Sequence, residues 1–242
     1  MRDLVMRQIE HVAEPSRLWV SWQPPETESG PRRRRIVAEI VVKQGEPIFR
    51  YLNQTRDYQL AKVEGFQGYP AFNRAIDEHR HGVMAAFMRR LPSRKRRDFT
   101  EYLEKYRLPV DFEASDMALL GYTGAKLPGD GFELCPDFTE APLPLETIVE
   151  IAGFRHQHID VSDLDVGDEV QFVPEPQNDV DADAIAIHHR GRRIGYVPIP
   201  MLSAVHRWMK VGHIDAHIDR LNGKPERPLV FLFLSVTARE RA

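Results

Sequence analysis

His156 and His158 alternate along the chain, as do His79 and His81, and two imidazoles on one face of a strand are half of a zinc site. The other half is missing. No His-x-x-x-His helix and no matched carboxylate pair accompanies either couple, so surface or loop histidines are expected and no metal. Cys135 is the only cysteine and is followed by Pro136, and no serine sits in a nucleophile elbow. Gly121 to Gly131 holds four glycines but lacks the Gly-Lys-Ser/Thr and the preceding strand of a phosphate-binding loop. These absences predict no catalytic constellation and no cofactor, and therefore a protein that binds rather than turns over.

What remains is chemistry of recognition. Asn178, Asp179 and Asp181 follow Glu175-Pro176, where Pro176 cannot continue a ladder and the short polar side chains can bond backbone amides as Asx turns. A fixed loop follows from that, with Asn178 and Asp181 either holding the turn or contacting a ligand. Gly195 within Ile194 to Val197 permits a bulge or a close backbone approach, and Tyr196 beside it presents an amphipathic ring, with core packing as its plainest role. Two basic clusters stand out: Arg32 to Arg35, and Arg89 and Arg90 with Arg94, Lys95, Arg96 and Arg97. Each is either a solvated face or a surface that tracks phosphates.

The elements that must position these groups fall into two parts. The 242 residues carry 42% hydrophobic and 29% charged side chains at a net charge of −3, which excludes disorder, collagen and coiled coil. Proline-rich punctuation lies at Pro24 to Pro31 and at Pro136 to Pro144, and the second places a boundary between domains 1–140 and 145–242. Up to Glu140 there are 22 Lys+Arg against 21 Asp+Glu, and after it 11 against 15, so neither part is a polycation. The single cysteine points to a reducing compartment and a cytoplasmic location. The mixed, charged N-terminus predicts no secretory leader, and the longest apolar run near an end, Pro228 to Val236, is too short to span a bilayer.

The fold expected is α+β. Arg17–Trp22, Arg35–Val42 and Pro47–Leu52 are rich in β-branched and aromatic residues and predict a small antiparallel sheet. Helical spacing follows, with Val83, Ala86, Phe87, Arg90 and Leu91 close together, then Phe99, Tyr102, Leu103 and Tyr106. Ser93 is placed to cap the second helix, and Asp111 or Ser115 a third over Asp116 to Leu120. After the boundary, six short runs at Thr147–Phe154, Glu169–Val173, Ala184–His188, Arg193–Val197, His213–Ile218 and Leu229–Val236 have the spacing of a six-stranded barrel. One helix interrupts them near Pro200, with Leu202, Val205, Trp208 and Met209 on one stripe and Gly212 closing it.

The string Gly167 to Ile187, containing Glu175-Pro-Gln-Asn178 and Val180-Asp-Ala-Asp-Ala-Ile185, is followed by Ile194-Gly-Tyr-Val-Pro198. Together with Gly153-Phe-Arg155 upstream, it resembles the HIRAN domain of helicase-like repair proteins and small bacterial proteins. The resemblance covers about the last 90 residues. It implies an OB-like or SH3-like barrel whose DNA-binding members hold the 3′ end of single-stranded DNA, in a setting of repair, stress response or defence. Carried over by position, Arg155 and His156, Asn178, Val180 and Asp181, and Tyr196 form a polar notch from three separated segments. Those members place aromatic rings where this chain has His156 and Val180, and a lysine where it has Ile199 or its neighbours. Each ring lost forfeits ~1–3 kcal/mol of stacking per base. Asp181 would tell a 3′-OH from a 3′-phosphate if it accepts the terminal hydroxyl.

The first part resembles the N-terminal subdomain of HipA-type kinases, through Leu18-Trp-Val20, Phe49-Arg-Tyr51, Phe87 to Pro92 and Leu119 to Ala125. The kinase core that would follow is absent, which implies no phosphoryl transfer. Two functions are therefore carried forward. One is a non-catalytic protein that binds DNA, with a basic surface or partner contact on the first domain; the other is a regulatory module that docks through that domain onto a kinase or other protein.

Overall fold

The computed structural model describes residues 7–25, 33–224 and 227–239. Arg32 and most of the Pro24 to Pro31 punctuation lie outside them. The chain forms two compact units: Glu14–Leu103 with Asp111–Phe138, and Thr139 onward with the N-terminal segment through Ala13 and Glu104–Val110. The crossing at Phe138 and Thr139 falls in the proline-rich zone, whereas two segments inside the expected 1–140 domain pack with the last third of the chain. Hydrogen bonds to Glu146 hold the first of them, beginning with the Glu146 N–H donated to His11 O at 3.1 Å. Ile9 donates its N–H to Arg107 O at 2.7 Å, and the Glu10 and His11 N–H groups are both taken by Glu146 Oε2.

The unit of 14–103 and 111–138 is built on an antiparallel sheet in the order β4-β3-β2-β1-β5, with β1 Arg17–Trp22, β2 Arg35–Lys43, β3 Glu46–Tyr51, β4 Glu78–His79 and β5 Phe132–Pro136. The first three strands match the apolar runs to within two residues. β5 was hidden because it lies between glycine-rich and proline-rich stretches and gains its order from pairing with β1, Leu18 opposite Pro136 through Trp22 opposite Phe132. The helices are α1 Arg56–Val63, α2 Val83–Met88, α3 Phe99–Glu104 and α4 Asp116–Thr123. Ser115 caps α4, its Oγ accepting the Ala118 N–H at 3.1 Å. Ser93 instead accepts from Lys95 in a turn ahead of α3. The core is aromatic: Phe49 stacks on Phe72 at 4.4 Å and meets Tyr51 edge-on at 4.8 Å, with Tyr69, Phe87 and Phe66 beyond.

The second unit contains β6 Leu145–Glu150, β7 Gln171–Pro174, β8 Ile185–His189, β9 Arg192–Tyr196, α5 Leu202–Val211, β10 Gly212–Lys224 and β11 Arg227–Ala238. All six expected strands and the helix form, but the described residues show no closed barrel. The strands divide into two antiparallel sheets, β10-β11-β6 and β7-β8-β9, linked by single pairings of Ala152 with Tyr196 and of Glu169 with His217. The long stretch from Ile151 to Val170 is the physical reason. It turns through two short 3-10 segments, Phe154–His156 and Val161–Asp163, and so offers isolated bridges where a barrel needs a continuous ladder. Arg155 and His156 sit on the first of these 3-10 turns, which follows β6. In α5, Leu202, Val205 and Trp208 are buried and Gly212 closes the helix as its spacing predicts.

Candidate functional site

The centre of the site is Glu175, immediately after β7. Its backbone N–H is donated to Ala184 O at 2.8 Å, which closes the loop between β7 and β8 and fixes where the carboxylate points. Oε2 accepts from Asn178 Nδ2 at 2.8 Å and from the Tyr196 hydroxyl at 3.1 Å, while Oε1 accepts from Arg193 at 3.2 Å. The Asn178 amide is the largest cause holding the Glu175 carboxyl below the usual carboxylate range; burial opposes it, and Arg193 and Tyr196 add to the lowering. Burial, and then the bond to Glu175, push the Tyr196 phenol up. At neutral pH the pair is therefore a carboxylate and a neutral phenol.

The loop itself is held by its own side chains. Asn178 Oδ1 accepts the N–H groups of Val180 and Asp181 at 3.0 and 3.2 Å, and Asp181 Oδ1 accepts that of Asp183 at 2.9 Å. These are the Asx turns that the residue types predict. Of the two roles open to Asp181, the structure places it in the backbone cap, so no preference for a 3′-OH over a 3′-phosphate follows from it. Val180, at the tip, is 65% exposed.

β9 brings the second segment. Its register against β8 slips between Ile187 and His188, so that Gly195 faces Ile187 while Arg193 faces His188, and Ile194 is the extra residue of a bulge. Gly195 has φ +149°, and a Cβ there would stand 2.4 Å from Ile151 Cγ2 and 2.6 Å from Ala152 O. Only glycine allows the chain to pass so close, as its place in the sequence suggested. The bulge also turns Arg193 and Tyr196 to one side, where a regular strand would set residues three apart on opposite faces. The Arg193 guanidinium lies over the Tyr196 ring, 5.0 Å from its centroid.

The third segment is the Phe154–His156 turn. Ala152 and Tyr196 exchange both backbone hydrogen bonds at 2.9 Å, and Arg193 Nε donates to Gln157 Oε1 at 3.0 Å. Arg155 and His156 are exposed, with Arg155 Nε donating to His156 Nε2 at 3.1 Å. The three separated segments thus do converge. They converge on a group, Glu175, Arg193 and Gln157, that the site residues chosen from sequence did not include. Asn178 and Tyr196 belong to it directly, Asp181 through the loop, and Arg155 and His156 through the adjoining turn.

The basic cluster of the other unit separates into three kinds of residue. Arg90 is not a surface cation: its side chain is 5% exposed, pairs with both oxygens of Asp130 at 2.6 and 3.1 Å, and donates to Ala125 O at 2.7 Å. Arg94 and Arg96 are exposed but paired, with Asp116 at 3.0 Å and Asp98 at 2.5 Å. Arg89, Lys95 and Arg97 are exposed and have no ion pair among the described residues. Of the earlier basic run, Arg34 pairs with Glu133 and Arg35 with Glu64 and Asp57. Burial pushes the Cys135 thiol up to about 12, so it stays protonated at neutral pH.

Residues 145–236 match the sequence family described as the HIRAN domain. Among solved structures, the HIRAN domain of human HLTF aligns at 16% identity over 39% of this chain and 77% of that one, with a TM-score of 0.33. No curated protein sequence matches the chain. No helix among the described residues is long and apolar enough to cross a membrane. The chain therefore carries HIRAN-domain sequence over residues 145–236, and every member of the Glu175 group lies inside that stretch.

Proposed function

We propose that the 145–236 region binds DNA, as a single strand or at a 3′ end, without catalysing a reaction on it. The observation that carries this reading is the convergence of three segments of a HIRAN-domain sequence on one polar group, with Arg193 over the Tyr196 ring and Arg155 exposed on the adjoining turn. An arginine next to an aromatic face is the pairing that single-stranded nucleic acid uses, phosphate to cation and base to ring. Arg155 is the cation at the turn, and Tyr196 and Asn178 are the loop-facing contacts. Because His156 and Val180 are small platforms for stacking, affinity leans on charge and falls with salt. The setting we propose is DNA repair, stress response or defence in the cytoplasm.

Fluorescence anisotropy with labelled oligonucleotides ending in 3′-OH, 3′-phosphate or a blunt duplex, at two salt concentrations, tests the reading. Single strands are expected to bind more tightly than the duplex, and the two 3′ ends to bind alike, since Asp181 is engaged with Asp183. Arg155→Ala and Tyr196→Ala are expected to weaken binding while the fold persists. Equal binding of single strand and duplex, or no binding at low salt, would sink the proposal.

A further inference from the structure

Resting on that reading, we infer that Arg193 is a phosphate ligand of the site, held in reserve by one oxygen of Glu175. The guanidinium is fixed on three sides. Nε is taken by Gln157, one Nη by Glu175 Oε1, and one face by the Tyr196 ring, while the other Nη has no hydrogen-bond partner among the described residues. The side chain is nevertheless 43% exposed. A planar fork pinned at three points and open along one edge loses little rotamer freedom when an anion arrives, which is what distinguishes a prepared anion site from a surface arginine.

Glu175 divides its work between its two oxygens. Oε2 builds the site, through Asn178 and Tyr196, and Oε1 only restrains Arg193. A phosphate oxygen can therefore replace Oε1 on Arg193 without undoing the loop or releasing the phenol. Until it does, the carboxylate balances the charge of Arg193. A two-oxygen phosphate then engages both Nη groups, the bidentate geometry that Arg offers and Lys does not.

The test uses the full chain and a short 5′-fluorescein oligothymidylate, with affinity measured by anisotropy across a salt series. Arg193→Gln is expected to weaken binding about tenfold and to lower the salt slope by about 0.7, one single-strand phosphate contact. Arg193→Lys keeps the slope but loses part of the affinity, and Glu175→Gln, which removes the competing charge, tightens binding several-fold. Thermal unfolding of each variant guards against a loss that is only structural; if Arg193→Gln is unstable, Arg193→Lys and Glu175→Gln still decide. If the wild type binds, Arg155→Ala weakens it and Arg193→Gln leaves both affinity and slope unchanged, this inference is overturned and the DNA reading stands. If the wild type does not bind, both fall together.

Discussion

Arg90 and Arg193 are both clamped by a carboxylate, one in each unit, and they differ in everything else they touch. Arg90 spends its donors on Asp130, Ala125 O, the Tyr69 hydroxyl and Phe132 O, beside the Tyr69 and Phe132 rings, and only 5% of it meets solvent. Arg193 has one carboxylate oxygen, one amide and one ring face, and keeps an open edge. The same residue type therefore does opposite jobs: a buried, saturated arginine ties a loop to a core, and a half-exposed, unsaturated one is available to a ligand. Partner count and exposure, not membership of a basic string, separate the two.

Thermal or denaturant unfolding breaks or sharpens this contrast most directly. Arg90→Met is expected to destabilise the protein by about 3 kcal/mol, because Ala125 O and Phe132 O lose their donor and Asp130 is left without its pair. Arg193→Gln is expected to cost under about 1 kcal/mol, the usual value of an exposed pair. Comparable losses for the two would mean that Arg193 is as structural as Arg90.

Gly195→Ala is next in size, and it acts on the backbone that creates the second half of the contrast. With φ at +149° and the new Cβ inside the van der Waals radius of Ile151 and Ala152 O, the strain is expected to cost about 2 kcal/mol. It should also pull β9 from its bridge to Ala152 and take Arg193 off the Tyr196 ring. Oligonucleotide binding is then expected to fall further than in Arg193→Gln, since the loop, ring and cation lose their alignment together. A variant that melts earlier but binds at wild-type affinity would show that the bulge does not set the site.

These cases also show what could be read from the amino acids alone. Periodicity and turn chemistry placed all six strands of the second unit, α5 with its Gly212 stop, and the loop held by Asn178 and Asp181, because each of those signals is local. Closure of a barrel is not local: it depends on whether Ile151 to Val170 pairs continuously, and that stretch forms only single bridges. Arg193 escaped notice for a related reason, since alternation along a strand puts it opposite Tyr196 until a bulge at Ile194 realigns them. Glu175 was in plain view as the acidic residue before Pro176, but two of the three partners that give it a role, Arg193 and Tyr196, come from another strand. Arg90 carried its own warning: it shares the helical stripe of Val83, Phe87 and Leu91, all buried.

The smallest effect expected concerns the rest of that basic string, where the argument is about charge already balanced. Arg94 and Arg96 face Asp116 and Asp98, so replacing both with Gln removes cations whose fields are largely cancelled at short range. Arg89, Lys95 and Arg97 are exposed and have no such partner among the described residues. Replacing these three with Gln is expected to leave stability within about 0.5 kcal/mol, as for other surface changes away from caps and cores. If DNA touches this face, the triple variant lowers the slope of log affinity against log salt and the Arg94/Arg96 double variant does not. The converse, a slope moved by the paired arginines and not by the unpaired ones, would mean that DNA displaces Asp116 and Asp98 as a phosphate is inferred to displace Glu175. Unchanged slopes in both variants would leave the cluster as a solvated face and confine phosphate recognition to the unit that holds Arg193.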